Sequence, residues 1–198
     1  MRASKSKNKA SLFQPLTFLD LVIYYRDNKN LLRLKEYRNA FIYQSLPFDI
    51  VKTTAAQLLL EVINQCIVEE EANEQLFDFL SQSFQNLDTI ETLDAKYILV
   101  FLINLMKIIG IQPHGNFSEK TPFFNLKEGA FSIFDNHQGI TISEENTQFL
   151  SHLLKENTAS IPKKNRKELL HILLQYYKIH VDGFKDLKSL KVIASIWD

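Results

Sequence analysis

Between Tyr97 and Ile111 the chain is apolar almost all round, broken only by Asn104, Lys107 and Gly110. That run is shorter than the roughly 20 residues a membrane span requires, so other helices must cover it on most sides. The segment from about Leu93 to Ile109, ended by Gly110, therefore reads as the central helix of a bundle. Val51, Ala55, Leu58, Leu59, Val62, Ile63 and Cys66 supply one covering stripe at helical spacing, behind a Pro47 suited to a first helical turn. A second covering helix is expected over 73–87, with Leu76, Phe77, Leu80 and Phe84 inward and its acids outward. Ser143 with Glu144 and Glu145 signals another start, for a helix to about Lys155, and two more should occupy 165–180 and 187–197.

The front of the chain has a different period. After a basic loop, MRASKSKNKA, the stretch Leu12–Tyr25 alternates roughly, Arg26-Asp27-Asn28-Lys29-Asn30 supplies turn chemistry, and Leu31–Tyr37 follows. A two-stranded β-ribbon is expected. Such a ribbon is marginal alone, so it either packs on the rest or belongs to a larger sheet whose other strands are absent. The expected class is mainly α, a helical bundle preceded by a β-ribbon. The boundary falls near residue 40, with residues 41–198 forming the bundle and an irregular or short-stranded insertion at 112–141.

The net charge of zero averages over unequal segments. Residues 1–40 carry nine Lys/Arg against three acids, residues 53–95 carry nine acids and no Lys or Arg, and residues 155–198 carry nine Lys/Arg against five acids. This suggests basic surfaces at both ends for polyanions, with an acidic shoulder between them, or else a solvated surface that happens to segregate. In the ribbon, Tyr24, Tyr25 and Tyr37 lie beside Arg26, Arg33, Lys35 and Arg38. That mixture suits base stacking along an electrostatic groove, and it also fits a half-exposed strand with a basic face. Arg2, Lys5, Lys7 and Lys9 join Arg26, Arg33, Lys35 and Arg38 as candidate DNA-binding residues.

Catalytic and cofactor chemistry finds little support. There is no phosphate-binding glycine loop, no H-E-x-x-H, no C-x-x-C and no G-x-S-x-G, and the lone Cys66 can form neither an internal disulfide nor a four-cysteine metal site. His114 and His137 share the insertion and could meet, but no metal, no cofactor and no catalysed reaction are expected. No apolar run reaches membrane-spanning length, and the N-terminus is basic with no apolar segment before Leu12, so a soluble, cytoplasmic protein is expected.

Near the C-terminus, Tyr176-Tyr177-Lys178-Ile179-His180, then Gly183-Phe184 and Leu187-Lys188-Ser189-Leu190-Lys191-Val192, resemble the closing signature of the RecO family of recombination mediators. Three further stretches fall in the family's order: Leu12-Phe13-Gln14-Pro15-Leu16 with the ribbon to Leu34-Lys35-Glu36, Glu70-Glu71-Ala72-Asn73 with Leu76-Phe77, and Leu105 to Gly110 with Pro113. The resemblance implies an oligonucleotide-binding (OB) barrel followed by a helical domain. The ribbon then looks like the remnant of the barrel, its last two strands, as if the chain had been shortened at its N-terminus or its reading frame called short. Relatives often carry four zinc-binding cysteines in the insertion, and this chain has none there.

By resemblance, the protein would bind single- and double-stranded DNA and anneal complementary strands. It would also cooperate with RecR and single-strand-binding protein in recombinase loading. The acidic, Phe-ending C-terminal tail of single-strand-binding protein docks on the family's helical domain, which needs an apolar pocket rimmed by cations. Lys163, Lys164, Arg166 and Lys167, with Leu169 to Tyr177 behind them, best offer both. A helical protein–protein adaptor without DNA contact is the competing reading, and the oligomeric state is not legible.

Overall fold

The computed structural model describes residues 12–25, 32–67, 72–134, 141–155 and 160–196. The β-ribbon comprises β1 (Leu19–Tyr24) and β2 (Arg33–Asn39), and a 3-10 turn at Leu46–Phe48 leads into the helices. These are α1 (Ile50–Cys66), α2 (Glu74–Thr89) and α3 (Ala95–Ile108). The insertion contributes β3 (Phe123–Asn125), β4 (Ala130–Ser132) and β5 (Thr141–Ile142), after which come α4 (Glu144–Leu154), α5 (Lys163–His180) and α6 (Leu190–Ile196). The protein is mainly helical, with a small antiparallel ribbon in front of the bundle. Among the described residues, no helix is long and apolar enough to cross a membrane.

α3 is the central helix. It buries Ile98, Leu99, Phe101, Leu102, Ile103, Leu105 and Met106, each completely or nearly so. Asp94 caps its start by accepting from Lys96 N–H at 2.8 Å. Its end is a Schellman motif: Gly110, at φ +77, lets Gly110 N–H reach Lys107 O at 3.4 Å and Ile111 N–H reach Met106 O at 3.0 Å. α5 lies against α3 and buries Leu169, Leu170, Leu173, Leu174 and Tyr177, a stripe at helical spacing. The Tyr177 hydroxyl donates to Leu102 O at 2.8 Å, which satisfies a polar group that burial would otherwise strand. α6 folds back onto α1, where Glu61 Oε2 accepts from the Ser189 amide at 3.1 Å and its hydroxyl at 3.0 Å.

Two local expectations change. The first strand begins at Leu19 and not at Leu12, because Pro15 and Leu16, the latter at φ +67, make a turn closed by Thr17 N–H on Gln14 O at 3.2 Å. Phe77 faces outward, 62% exposed, and meets Phe18 at the base of the ribbon edge-on at 6.4 Å.

The insertion forms a small sheet of order β4-β3-β5. Phe124 is fully buried and packs on Tyr176 at 6.1 Å, while the Tyr176 hydroxyl donates to Ile111 O at 2.8 Å. The His180 ring lies 4.1 Å from that of Tyr176, tilted by 32°, and its Nε2 lies 2.8 Å from Leu126 O. Gly129 permits this approach: it has φ +65, and a Cβ there would lie 2.7 Å from the Tyr176 hydroxyl. Gly129→Ala is therefore expected to destabilise the fold by about 2 kcal/mol, lowering Tm by roughly 4–8 °C. An unchanged Tm would mean that Tyr176 does not pin the insertion.

Candidate nucleic-acid interface

The ribbon is exposed on both faces. In its antiparallel register Asp20 opposes Arg38, Val22 opposes Glu36 and Tyr24 opposes Arg33. Opposed residues share a face, so these six define a charged face with one aromatic ring. The other face sets Leu19, Leu21 and Ile23 against Asn39, Tyr37 and Leu34, with the Phe13 ring 5.3 Å from Tyr37. Leu21, Ile23 and Leu34 each keep nearly half of their surface in solvent. The register slips between Val22 and Ile23, leaving Lys35 as the extra residue of a bulge, a device that bends and twists a strand.

Two of the ribbon's cations already have anionic neighbours. Arg38 Nε donates to Asp20 Oδ2 at 3.0 Å, and Lys35 Nζ lies 3.6 Å from Glu36 Oε1. All four side chains are about half exposed or more, so these pairs are weak and exchangeable. Among the described residues, Arg33 stands opposite a tyrosine rather than an acid.

A polar latch at the end of α2 holds the ribbon to the bundle. Asp88 is 5% exposed and accepts from three successive backbone N–H groups, Gln44 at 2.9 Å, Ser45 at 2.8 Å and Leu46 at 2.6 Å. The buried Lys52 donates from Nζ to Ser45 Oγ at 2.6 Å and to Asp88 O at 2.8 Å. Burial alone would raise the Asp88 carboxyl, but the N–H donors of Gln44, Leu46 and Ser45 with the Ser45 hydroxyl outweigh it and hold the group below its ordinary value. Around the latch, Tyr43 donates to Leu16 O at 3.1 Å, and Phe18, Phe41 and Tyr43 form a ring cluster. Burial and the Asp88 charge push the Tyr43 hydroxyl well above its ordinary range.

The second expected surface lies at the start of α5, which no side chain caps: Pro162 precedes it, and its first turn holds no acid. Cations are unfavourable at the positive end of a helix dipole, and acids close by offset them. Lys163, Arg166 and Lys167 line a cavity of about 220 Å³ with Leu93, Asp94 and Ala95. Lys164 lies 3.8 Å from Glu168. Arg166 is tied into the fold, donating from Nη1 to Asp94 Oδ1 at 2.7 Å and from Nε to Ile161 O at 2.6 Å, so it braces α5 against the start of α3.

Tyr177 departs from its expected role at a partner pocket. It is fully buried, stacks on Phe184 at 5.5 Å and belongs to the core, because it sits on the inward stripe of α5. Burial drives its hydroxyl pKa well above the ordinary value, with the nearby Cys66 adding to the shift.

Of the other expected residues, Arg2, Lys5, Lys7, Lys9 and Arg26 lie outside the described residues, as does His137. His114 pairs its backbone with the insertion, its N–H donating to Gly129 O at 2.9 Å. Among the described residues, no three His, Cys, Asp or Glu side chains are grouped so as to hold a metal ion. The latch at Asp88 carried no sequence signal, since an aspartate in an acidic, lysine-free stretch reads as a solvated side chain.

A helical bundle carrying an exposed ribbon of interleaved cations and aromatic rings is the class that fold and surface together define. Residues 47–191 match the family model described as Recombination protein O C terminal. The chain is 34% identical to the DNA repair protein RecO of Flavobacterium psychrophilum, over 98% of this chain and 82% of that protein. It is 35% identical to RecO of Christiangramia forsetii, over 100% of this chain and 83% of that protein. For RecO of Bacteroides fragilis the identity is 32%, over 100% and 84%. The chain belongs to the RecO family of DNA repair proteins.

Proposed function

We propose that the protein binds single- and double-stranded DNA through the ribbon, anneals complementary strands and acts as a cytoplasmic mediator without catalysing bond chemistry. In this reading residues 1–40 serve as part of an OB-type surface, and residues 41–198 form the helical domain that meets RecR and single-strand-binding protein. The observation that carries it is the exposed ribbon face, where Tyr24 stands opposite Arg33 and Arg38 lies two residues beyond Glu36, in a chain of a DNA repair family. Such a face offers cations to phosphates and a ring to bases, as strand-binding grooves do.

The α5 start is the proposed seat of the acidic tail of single-strand-binding protein, since its cations face an uncapped helix end beside the apolar Leu93 and Ala95. Lys163, Lys164 and Lys167 would contact the tail's carboxylates, and Arg166 would hold the cavity wall. A protein–protein adaptor without DNA contact is the second reading, favoured by the ion pairs that already occupy Lys35 and Arg38.

One experiment separates the surfaces. Lys163→Glu, Lys164→Glu and Lys167→Glu together should weaken an acidic, Phe-ending peptide roughly tenfold by loss of charged hydrogen bonds, with strand annealing and DNA affinity retained. Acids at a helix start are favourable, so the fold should hold. Equal weakening of both ligands would replace two surfaces with one diffuse basic face, and an absence of DNA binding in the parent protein would favour the adaptor.

A further inference from the structure

We infer that Asp20 is a built-in competitor for the phosphates that Arg38 would take, limiting how tightly the ribbon holds DNA. The inference rests on the reading of the ribbon as a nucleic-acid surface. Asp20 and Arg38 are directly opposed on the charged face, and Arg38 Nε donates to Asp20 Oδ2 at 3.0 Å. Both side chains are open to solvent, at 82% for Arg38 and 54% for Asp20, so a strand can reach them without unfolding anything.

An incoming phosphate must then displace a carboxylate from the guanidinium, or share the guanidinium with it while suffering its repulsion. Either route subtracts from the affinity that an unpaired arginine would give. Because the pair is exposed, the subtraction is small enough to be reversed on every encounter. Arg33 has Tyr24 opposite it, so among the described residues competition of this kind is built into the Arg38 position of the charged face and not into the Arg33 position. Lys35 and Glu36 are neighbours along the strand at 3.6 Å, a looser pair. A protein that brings strands together and then leaves the duplex benefits from a contact that lets go.

The test is a double-mutant cycle on the full chain, read by fluorescence anisotropy of a labelled single-stranded oligonucleotide at about 0.1 M salt, where the Debye length is about 10 Å. Asp20→Asn keeps an acceptor for Arg38 but removes the charge, and it should tighten binding about two- to fivefold, or roughly 0.4–1 kcal/mol. In an Arg38→Gln background the same substitution should gain little or nothing. Asp182→Asn makes the same change of net charge in the exposed segment after α5, near the Gln65 end of α1, where Gln65 accepts from Lys185 N–H at 2.5 Å. The 17 residues of α1 separate that end from the ribbon junction by roughly 25 Å, well beyond a Debye length in ordinary buffer, so Asp182→Asn should leave affinity unchanged.

Equal gains from Asp20→Asn and Asp182→Asn would overturn the inference, as would a gain that persists without Arg38, because both indicate a general charge effect. If the parent protein binds no DNA but Asp20→Asn does, the competitor is confirmed as stronger than drawn. If neither binds, the proposed DNA reading and the inference fall together. Binding by the parent with no change on Asp20→Asn sinks the inference alone.

Discussion

Replacing Arg33, Lys35 and Arg38 together by glutamate should lower affinity for single-stranded DNA by about two orders of magnitude at low salt. Each cation that neutralises a phosphate releases counterions, at about 0.7 per contact in the slope of log K against log salt for a single strand, so the slope should shrink by roughly 2. All three residues lie in an exposed strand, and their known pairs are weak, so Tm should change little. Lost affinity with an unaltered slope would point to damage elsewhere than at phosphate contacts. Unaltered affinity would remove the ribbon from the interface.

Asp88→Ala should be the most damaging single change to the fold, at about 3–4 kcal/mol. It leaves the N–H groups of Gln44, Ser45 and Leu46 without their acceptor, beside the buried Lys52 that donates to Ser45 Oγ and to the Asp88 carbonyl. For a chain of this size that corresponds to a fall in Tm of roughly 6–16 °C. Hydrogen exchange should rise first in β1 and β2, because the latch ties the segment that carries them to α2. The pH dependence has a fixed sign. The carboxyl is held below its ordinary value of about 3.8 in the fold, so its contribution is fully present above that value and is lost as pH falls through the lowered one. Asp88→Ala should abolish that part of the acid sensitivity, and a variant with unchanged acid unfolding would show that the latch contributes nothing.

The helices were largely legible, because period and caps are local. The apolar run around Leu99 and Leu102 demanded a covered central helix, and Gly110 marked its end through the positive φ a Schellman motif needs. Ser143 did cap α4, accepting from Asn146 N–H at 3.4 Å. Features that depend on distant parts of the chain were hidden. The outward turn of Phe77 follows from Phe18, far away in sequence, and the partner that lets the Tyr177 hydroxyl be buried is a carbonyl on α3. The ribbon was visible as alternation and turn residues, but the pairing of Arg38 with Asp20 depends on register, which a bulge at Lys35 shifts. Charge counting alone therefore overstated how much positive charge the ribbon offers. The start of α5 was readable as a basic cluster, while the role of Arg166 as a brace to Asp94 was not.

A salt titration of the unmodified protein against a labelled single-stranded oligonucleotide tests the central claim most directly. If the ribbon cations each neutralise a phosphate, log K should fall linearly with log salt with a slope of about −2 or steeper from about 50 mM upward. No binding at about 50 mM salt, or binding that does not respond to salt, would contradict a phosphate-contacting ribbon and leave the bundle as a protein-binding module.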